Sequence, residues 1–110
     1  MMIDQCSIRE GVGTGMDEAR FVRIAKALAD PRRLALMERI AAQSEVGCQT
    51  LLKDCPVSQA TVSHHVHELT EAGLVAIRRE GKFAFFRAVP EEVEAYLIEL
   101  HRRLSPGAGR

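Results

Sequence analysis

The stretch VSQATVSHHVHELTEAGLV, residues 57–75, decides the fold of this chain. Helical spacing of i, i+3, i+4 and i+7 relates four residues that would form a buried stripe: Val62, His65, Val66 and Leu69. Ser58 stands before this pattern as a helix N-cap residue, and Gly73 follows it as a left-handed terminator. We therefore predict a helix from Ser58 to Gly73.

The outward face of this helix is small and uncharged. It carries Gln59, Ala60, Thr61, Ser63, His64 and His67. Glutamine pairs bidentately with adenine, Ser, Thr and His exchange hydrogen bonds with base edges, and methyl groups contact thymine. The helix start at Ser58 could also offer backbone N–H groups to a phosphate. This face is typical of a DNA recognition helix, and a merely capped and solvated helix is the alternative.

Three more helices are predicted upstream of the recognition helix. A short helix over about Gln49 to Asp54 is stopped by Pro56, which makes a helix-turn-helix with the helix that follows. The first helix starts near Asp17. The second starts at Asp30-Pro31. Its expected buried stripe is Leu34, Met37, Ile40 and Ala41.

The hydrophobic period changes to two after Gly73, which predicts a β-hairpin. Its strands are Leu74 to Arg79 and Phe83 to Ala88, with a tip at Glu80-Gly81-Lys82. Three apolar residues are expected to anchor the hairpin in the core: Ile77, Phe83 and Phe85. Three basic residues crowd its tip, where we expect contacts to phosphate or the minor groove: Arg78, Arg79 and Lys82. A solvated turn is the alternative.

The predicted fold class is mainly α with a small β-hairpin wing. A last helix opens at Pro90, so the order is α-α-α-α-β-β-α, a winged helix-turn-helix. This domain spans residues 16–104, between a mobile N-terminal arm (1–15) and a disordered tail (105–110). Because no signal peptide or membrane-length apolar run is present, we expect a cytoplasmic protein without a membrane partner.

The charge is unevenly distributed along the chain. The net charge is zero, yet residues 20–39 hold six Lys or Arg against two acids, a local balance of +4. A neutral total therefore leaves room for a basic face. Arg32 and Arg33 lie in the first turn of their helix, where they oppose its dipole. We interpret them as contacts to phosphate or an acidic partner, or as a surface pair held by Glu38.

A homodimer is expected because the first and last helices carry apolar stripes with little else to cover them. The predicted interface comprises Phe21, Val93, Tyr96, Leu97, Leu100 and Leu104. Two symmetric recognition helices would read duplex DNA at an inverted repeat, with half-sites about one helical turn apart.

Four segments resemble the ArsR family of arsenic- and metal-responsive repressors. They are KALADPRRL (26–34), VSQATVSHHVHEL (57–69), EAGLV (71–75) and REGK (79–82). The resemblance covers about residues 17–104. It implies a dimeric winged helix whose fourth helix enters the major groove and whose ligand releases it from the operator. By this resemblance, the family's base-facing positions hold Gln59, Thr61, Ser63, His64 and His67, and its wing positions hold Arg78, Arg79 and Lys82.

The positions that usually bind metal in the family hold other residues in this sequence. Gly47 and Gln49 stand where the family has Cys-x-Cys, with Leu52 at a further cysteine position. The last-helix zinc positions hold Pro90, Glu92, Arg103 and Pro106.

The chain's own cysteines, Cys6, Cys48 and Cys55, are odd in number and form no CxxC pair, which argues against a disulfide scaffold or zinc knuckle. They are candidate ligands for As(III) or another thiophilic ion. Buried structural thiols and a redox-sensitive disulfide are the alternatives.

Two other function classes fit the sequence less well. The sequence has no Gly-rich phosphate loop, no carboxylate pair in a recognisable context and no Cys/His dyad, so we predict that it is not an enzyme. His64, His65 and His67 cannot all face one metal ion, because adjacent helix positions point apart. The remaining alternative is a winged-helix protein-interaction module that does not bind DNA.

Overall fold

The computed structural model of the 110-residue chain describes residues 16–53 and 57–107. In chain order its elements are α1 (Glu18–Ala27), α2 (Pro31–Ala41), β1 (Val46–Gly47), α3 (Cys48–Lys53), α4 (Gln59–Glu71), β2 (Val75–Glu80), β3 (Phe83–Ala88) and α5 (Pro90–Leu104). This mainly helical arrangement with a hairpin after α4 confirms the predicted fold class. The predicted arm (1–15) and the end of the predicted tail (108–110) lie outside the described residues.

Side-chain caps fix where three of the helices begin. Asp17 accepts a hydrogen bond from the backbone N–H of Arg20 at 2.8 Å. Asp30 accepts from the N–H groups of Arg32 and Arg33 at 2.8 and 3.2 Å. The Ser58 hydroxyl accepts from the N–H of residue 61 at 3.2 Å. Each cap satisfies N–H groups that have no partner inside the helix, and those at Asp30 and Ser58 were predicted from the sequence.

Gly73 ends α4 and directs the chain into the wing. Its φ of +84° lies in the left-handed region, which favours glycine. Gly73 N–H donates to the Thr70 carbonyl at 2.9 Å, and Leu74 N–H donates to the Leu69 carbonyl at 3.0 Å. This pair of bonds is the Schellman motif, so the predicted terminator is confirmed.

The sheet contains one strand that the sequence analysis missed. Within the described residues it has three antiparallel strands in the order β1-β3-β2. β1 pairs through Val46 with Phe86 and through Gly47 with Phe85. The predicted order of elements was therefore wrong by one strand, because a two-residue strand shows no alternation of its own. β1 runs directly into α3, so it joins the wing to the helix-turn-helix.

The wing packs on the core through a different face from the one predicted. Phe86 is 5% exposed, whereas Phe83 is 47% and Ile77 37% exposed, and Phe85 is half-buried. The expectation that Phe83 and Phe85 anchor the wing was therefore wrong, whereas Ile77 pairs with Phe86 on the core-facing side but is only partly covered. Side chains alternate along a strand, and in β3 the parity that contains Phe86 packs toward the helices.

The prediction of which α2 residues are buried was also partly wrong. Met37 and Ile40 are buried as expected, but Leu34 is 41% exposed and Ala41 is exposed, while Leu36 is buried. The core instead draws its fully buried side chains from several elements: Ile24, Ile40, Leu51, Leu69 and Leu74.

Helix α5 returns to pack on α1. The rings of Phe21 and Tyr96 have centroids 5.2 Å apart, and the Arg103 guanidinium lies 4.0 Å from the centre of the Phe21 ring. Arg103 also pairs with Glu18 at 2.9 Å and with the buried Glu99 at 2.8 Å.

Among the helices of the described residues, none combines the length and apolar character needed to cross a membrane.

Candidate nucleic-acid interface

The predicted base-facing residues lie on one open side of α4. Gln59, Ala60, Ser63, His64 and His67 are exposed, and Thr61 is half-buried. The opposite side of the helix is buried through Val62, His65, Val66 and Leu69. The Ser58 hydroxyl lies 3.0 Å from the Thr61 hydroxyl and caps the helix. The structure thus leaves an uncharged polar surface on a helix that is firmly packed from behind.

The wing lies alongside this surface, and two grooves run between them. One, of about 300 Å³, has Ser63 and His67 of α4 on one wall and Arg79 of β2 on the other. The second, of about 470 Å³, places Gln59 near Arg79 and Lys82. Arg79 therefore lies between the recognition surface and the wing tip. This arrangement puts basic side chains where a DNA backbone would flank an inserted helix.

The second groove is also lined by two residues that were not predicted to contact DNA. Gln49 and Thr50 are exposed on α3 and line the groove with Gln59 and Lys82. The sequence feature that could have identified them is that both are polar residues in a short amphipathic helix. Their proximity to the wing depends on β1, which was not predicted.

Arg78 is held away from these grooves. It pairs across the sheet with Phe85, whereas Arg79 pairs with Ala84, so the two arginines lie on opposite faces of the wing. Arg78 forms ion pairs with Glu45 and Glu80. Its hydrogen bonds to Glu45 hold the pKa of that carboxyl below its usual range. The three wing residues predicted together are therefore divided, with Arg79 and Lys82 beside α4 and Arg78 engaged elsewhere.

The buried side of α4 carries a histidine that contacts α2. His65 is 7% exposed, and its Nδ1 accepts a hydrogen bond from Arg33 Nε at 3.3 Å. Arg33 Nη1 also donates to the Ala27 carbonyl at 3.4 Å. Burial, with Arg33 adding to it, lowers the pKa of His65. The sequence suggested that Arg33 contacts phosphate or an acidic partner, and the structure instead joins it to α4.

Of the three cysteines, only Cys48 falls within the described residues. It begins α3, is half-buried, and lines both grooves between the helix-turn-helix and the wing. Cys6 and Cys55 lie outside the described residues. Across residues 16–53 and 57–107, no group of three or more His, Cys, Asp or Glu side chains is arranged to hold a metal ion.

Known proteins share this arrangement. A family described as a helix-turn-helix domain matches residues 28–78. The HTH-type transcriptional regulator MJ1325 of Methanocaldococcus jannaschii is 32% identical over 64% of this chain and 80% of its own length. The arsenical resistance operon repressor of Bacillus subtilis is 30% identical over 67% of this chain and 70% of its own length. The chain belongs to the ArsR family of winged helix-turn-helix transcriptional regulators.

An ArsR-like transcriptional regulator from Rhodococcus sp. RHA1 has the same fold, with a TM-score of 0.70 at 24% identity. The superposition covers 77% of this chain and 79% of that one. These relatives are transcriptional regulators with a helix-turn-helix domain, rather than enzymes, which confirms the expectation of a transcriptional regulator.

The predicted dimer residues of this ArsR-family chain are not equally available. Phe21 is 9% exposed, because Tyr96 and Arg103 of the same chain cover its ring. Val93, Tyr96 and Leu100 are half-buried. Leu97 and Leu104 are 53% and 71% exposed, and the neighbouring Ile98 is 58% exposed. The open apolar surface therefore lies on α5 rather than on α1.

Proposed function

We propose that this ArsR-family regulator is a repressor that recognises a specific operator sequence in duplex DNA by inserting α4 into the major groove. The observation that carries the proposal is the exposed, uncharged face of α4 with basic wing residues beside it. Gln59, Ala60, Thr61, Ser63, His64 and His67 would contact base edges, with the helix start at Ser58 near a phosphate. Arg79 and Lys82 would contact the DNA backbone or the minor groove.

We further propose that the repressor acts as a cytoplasmic homodimer on an inverted-repeat operator. Leu97, Ile98 and Leu104 form an exposed apolar stripe on α5, and burying such a stripe against a second copy removes it from water. Val93, Tyr96 and Leu100 would line the edge of that contact. Two copies would place two α4 helices about one turn of DNA apart.

The test is fluorescence anisotropy of the purified protein with a DNA fragment from its own promoter, measured over a range of salt concentrations. We expect specific binding that weakens steeply with salt, because phosphate contacts release counterions. Gln59→Ala should cost about 1–3 kcal/mol of binding free energy on the specific site, and much less on unrelated DNA. Glu91→Gln, at an exposed position of α5 that lines neither groove, is the control. Absence of salt-sensitive DNA binding would instead favour a protein-interaction module.

For the effector, we propose a thiophilic ligand such as As(III), bound by cysteine thiolates. Two observations support this: Cys48 lines both grooves between α4 and the wing, and one relative is an arsenical resistance operon repressor. Cys6 and Cys55 would supply the other thiolates. A ligand at Cys48 would disturb the wing where it meets the recognition helix.

The effector test adds arsenite to the reduced protein–DNA complex. Release at low stoichiometry, abolished by Cys48→Ser and by Cys6→Ser, would support the proposal. Release by an oxidant but not by arsenite would indicate a redox-responsive repressor. A complex that neither treatment disturbs would make the cysteines structural.

A further inference from the structure

Arg78 is the best-anchored basic side chain of the wing. Its Nε and Nη2 donate to the two carboxylate oxygens of Glu45 at 2.9 and 2.8 Å, a bidentate pair. Its Nη1 donates to Glu80 at 3.0 Å. The guanidinium also lies 4.5 Å from the centre of the Phe85 ring. Three of its five guanidinium N–H groups already donate to carboxylates, so most of its donor capacity is engaged within the protein.

Glu45 lies where the wing meets the helix-turn-helix. It immediately precedes β1, and β1 leads without a break into α3 of the helix-turn-helix. The backbone pairing between β1 and the wing involves only Val46 and Gly47. The Arg78–Glu45 pair adds a side-chain connection between β2 and the same segment, 33 residues apart in sequence. It thereby joins the wing to the unit that carries α4.

We propose that Arg78 is a positioning residue for DNA binding, not a phosphate contact. Its clamp to Glu45 holds the wing at the angle that lets Arg79 and Lys82 reach the DNA backbone while α4 lies in the major groove. This inference rests on the proposed DNA-binding function of α4 and the wing. It assigns opposite tasks to two adjacent arginines: Arg79 contacts DNA, and Arg78 sets where Arg79 lies.

The experiment compares Arg78→Gln, Glu45→Gln and Arg79→Gln in the full chain by anisotropy across a salt series. Arg79→Gln should weaken binding and make the dependence of log affinity on log salt shallower by about 0.9 for each phosphate that is no longer neutralised. Arg78→Gln should weaken binding about two- to fivefold, as expected for a surface ion pair, with the salt slope unchanged. Thermal unfolding verifies that each variant is folded.

Glu45→Gln is the decisive variant, because losing its negative charge and losing its ion pair with Arg78 should change the DNA affinity in opposite directions. DNA is a polyanion, so removing a negative charge strengthens binding if only long-range charge matters. Loss of the clamp weakens binding instead, and we expect a decrease similar to that of Arg78→Gln. The double variant should be no weaker than either single variant, since both remove the same interaction. Glu91→Gln removes an equal charge from α5 and serves as the matched control.

Two results would overturn the inference while leaving the proposed function in place. One is a salt slope for Arg78→Gln that falls as much as that of Arg79→Gln. The other is tighter binding by Glu45→Gln. If the wild-type protein itself shows no salt-dependent binding, the proposed function fails, and the positioning role fails with it.

Discussion

The side chain of His65 determines how the buried side of α4 responds to pH. Burial and the Arg33 guanidinium lower the pKa of His65, so the ring is neutral in the folded protein where the unfolded chain would bind a proton. Its contribution to stability is therefore complete above about pH 6.5 and is lost as the pH falls below that value toward the lower folded pKa.

This pH dependence is tested with a variant that keeps the acceptor but cannot titrate. His65→Asn can still accept the Arg33 hydrogen bond near the position of Nδ1, so its free energy of unfolding should depend less on pH between about 5 and 7 than that of the wild type. His67→Asn makes the same substitution on the exposed side of α4 and is the control. Urea unfolding at several pH values measures both. Equal slopes for His65→Asn and the wild type would refute the assignment.

Glu99 is a second buried ionisable group, and its pH window is more acidic. Hydrogen bonds from Arg102 and then Arg103 lower the pKa of its carboxyl to about 2. Its stabilisation is complete above about pH 4.5 and is lost as the pH falls from there toward 2. Glu99→Gln should lower the free energy of unfolding at pH 7 by about 1.5–3 kcal/mol, the range for hydrogen bonds to charged groups.

The Glu99 prediction has an internal control on the same helix. Glu94 is exposed, so Glu94→Gln should change the free energy of unfolding by less than about 0.5 kcal/mol. The difference between wild type and Glu99→Gln should also shrink at about pH 3, where much of the ionisation benefit is gone. A similar decrease for both variants would show that Glu99 has no special role.

At the scale of elements, the junction between α4 and β2 depends on one glycine. Gly73 has φ +84°, and an added Cβ would meet Arg20 and Glu92 only at ordinary contact distances of 3.5 and 3.6 Å. The cost of Gly73→Ala is therefore backbone strain, about 1–2 kcal/mol of unfolding free energy. Gly47→Ala is the matched control, because its new Cβ would lie 3.5 Å from Phe85 and it has no positive φ. Equal decreases in thermal stability would contradict this reasoning.

The helices and the wing hairpin could be predicted because their signals are local. Caps such as Asp30 and Ser58, the terminator Gly73 and the helical period all lie within a few residues of the elements they define. The face of a strand that packs inward is not local information. The alternation in β3 fits either parity, and only contact with the helices selects Phe86 over Phe83.

The candidate site was predictable to the same extent. The exposed face of α4 followed from its period, and the structure leaves that face open. Strand alternation already places Arg78 and Arg79 on opposite faces, but the ion pair that engages Arg78 could not be read from the sequence, because Glu45 is distant along the chain. The α2 stripe failed for a related reason: Leu34, Leu36 and Met37 allow more than one apolar face, and only packing distinguishes them.

At the scale of the whole molecule, one chain presents one recognition helix and an open apolar stripe on α5. Leu97, Ile98 and Leu104 are more than half exposed, and Leu97 and Leu104 line an apolar surface depression of about 630 Å³ on this helix. Leu34 on α2 is also exposed, at 41%. If α5 forms the dimer, a charge on its stripe should separate the copies, whereas the same charge on α2 should not.

Leu97→Glu should therefore convert the dimer to a monomer in analytical ultracentrifugation, because dimerisation would bury an unpaired carboxylate. Leu34→Glu, the matched substitution, should leave the dimer intact. An inverted repeat requires two α4 helices about one DNA turn apart, and a chain with a single α4 can occupy only one half-site. The Leu97→Glu monomer should accordingly bind the full operator no better than an isolated half-site, even though its own α4 and wing are unchanged. A monomeric wild type would contradict the proposed dimer. An unchanged dimer for Leu97→Glu would place the dimer interface on a surface other than the α5 stripe.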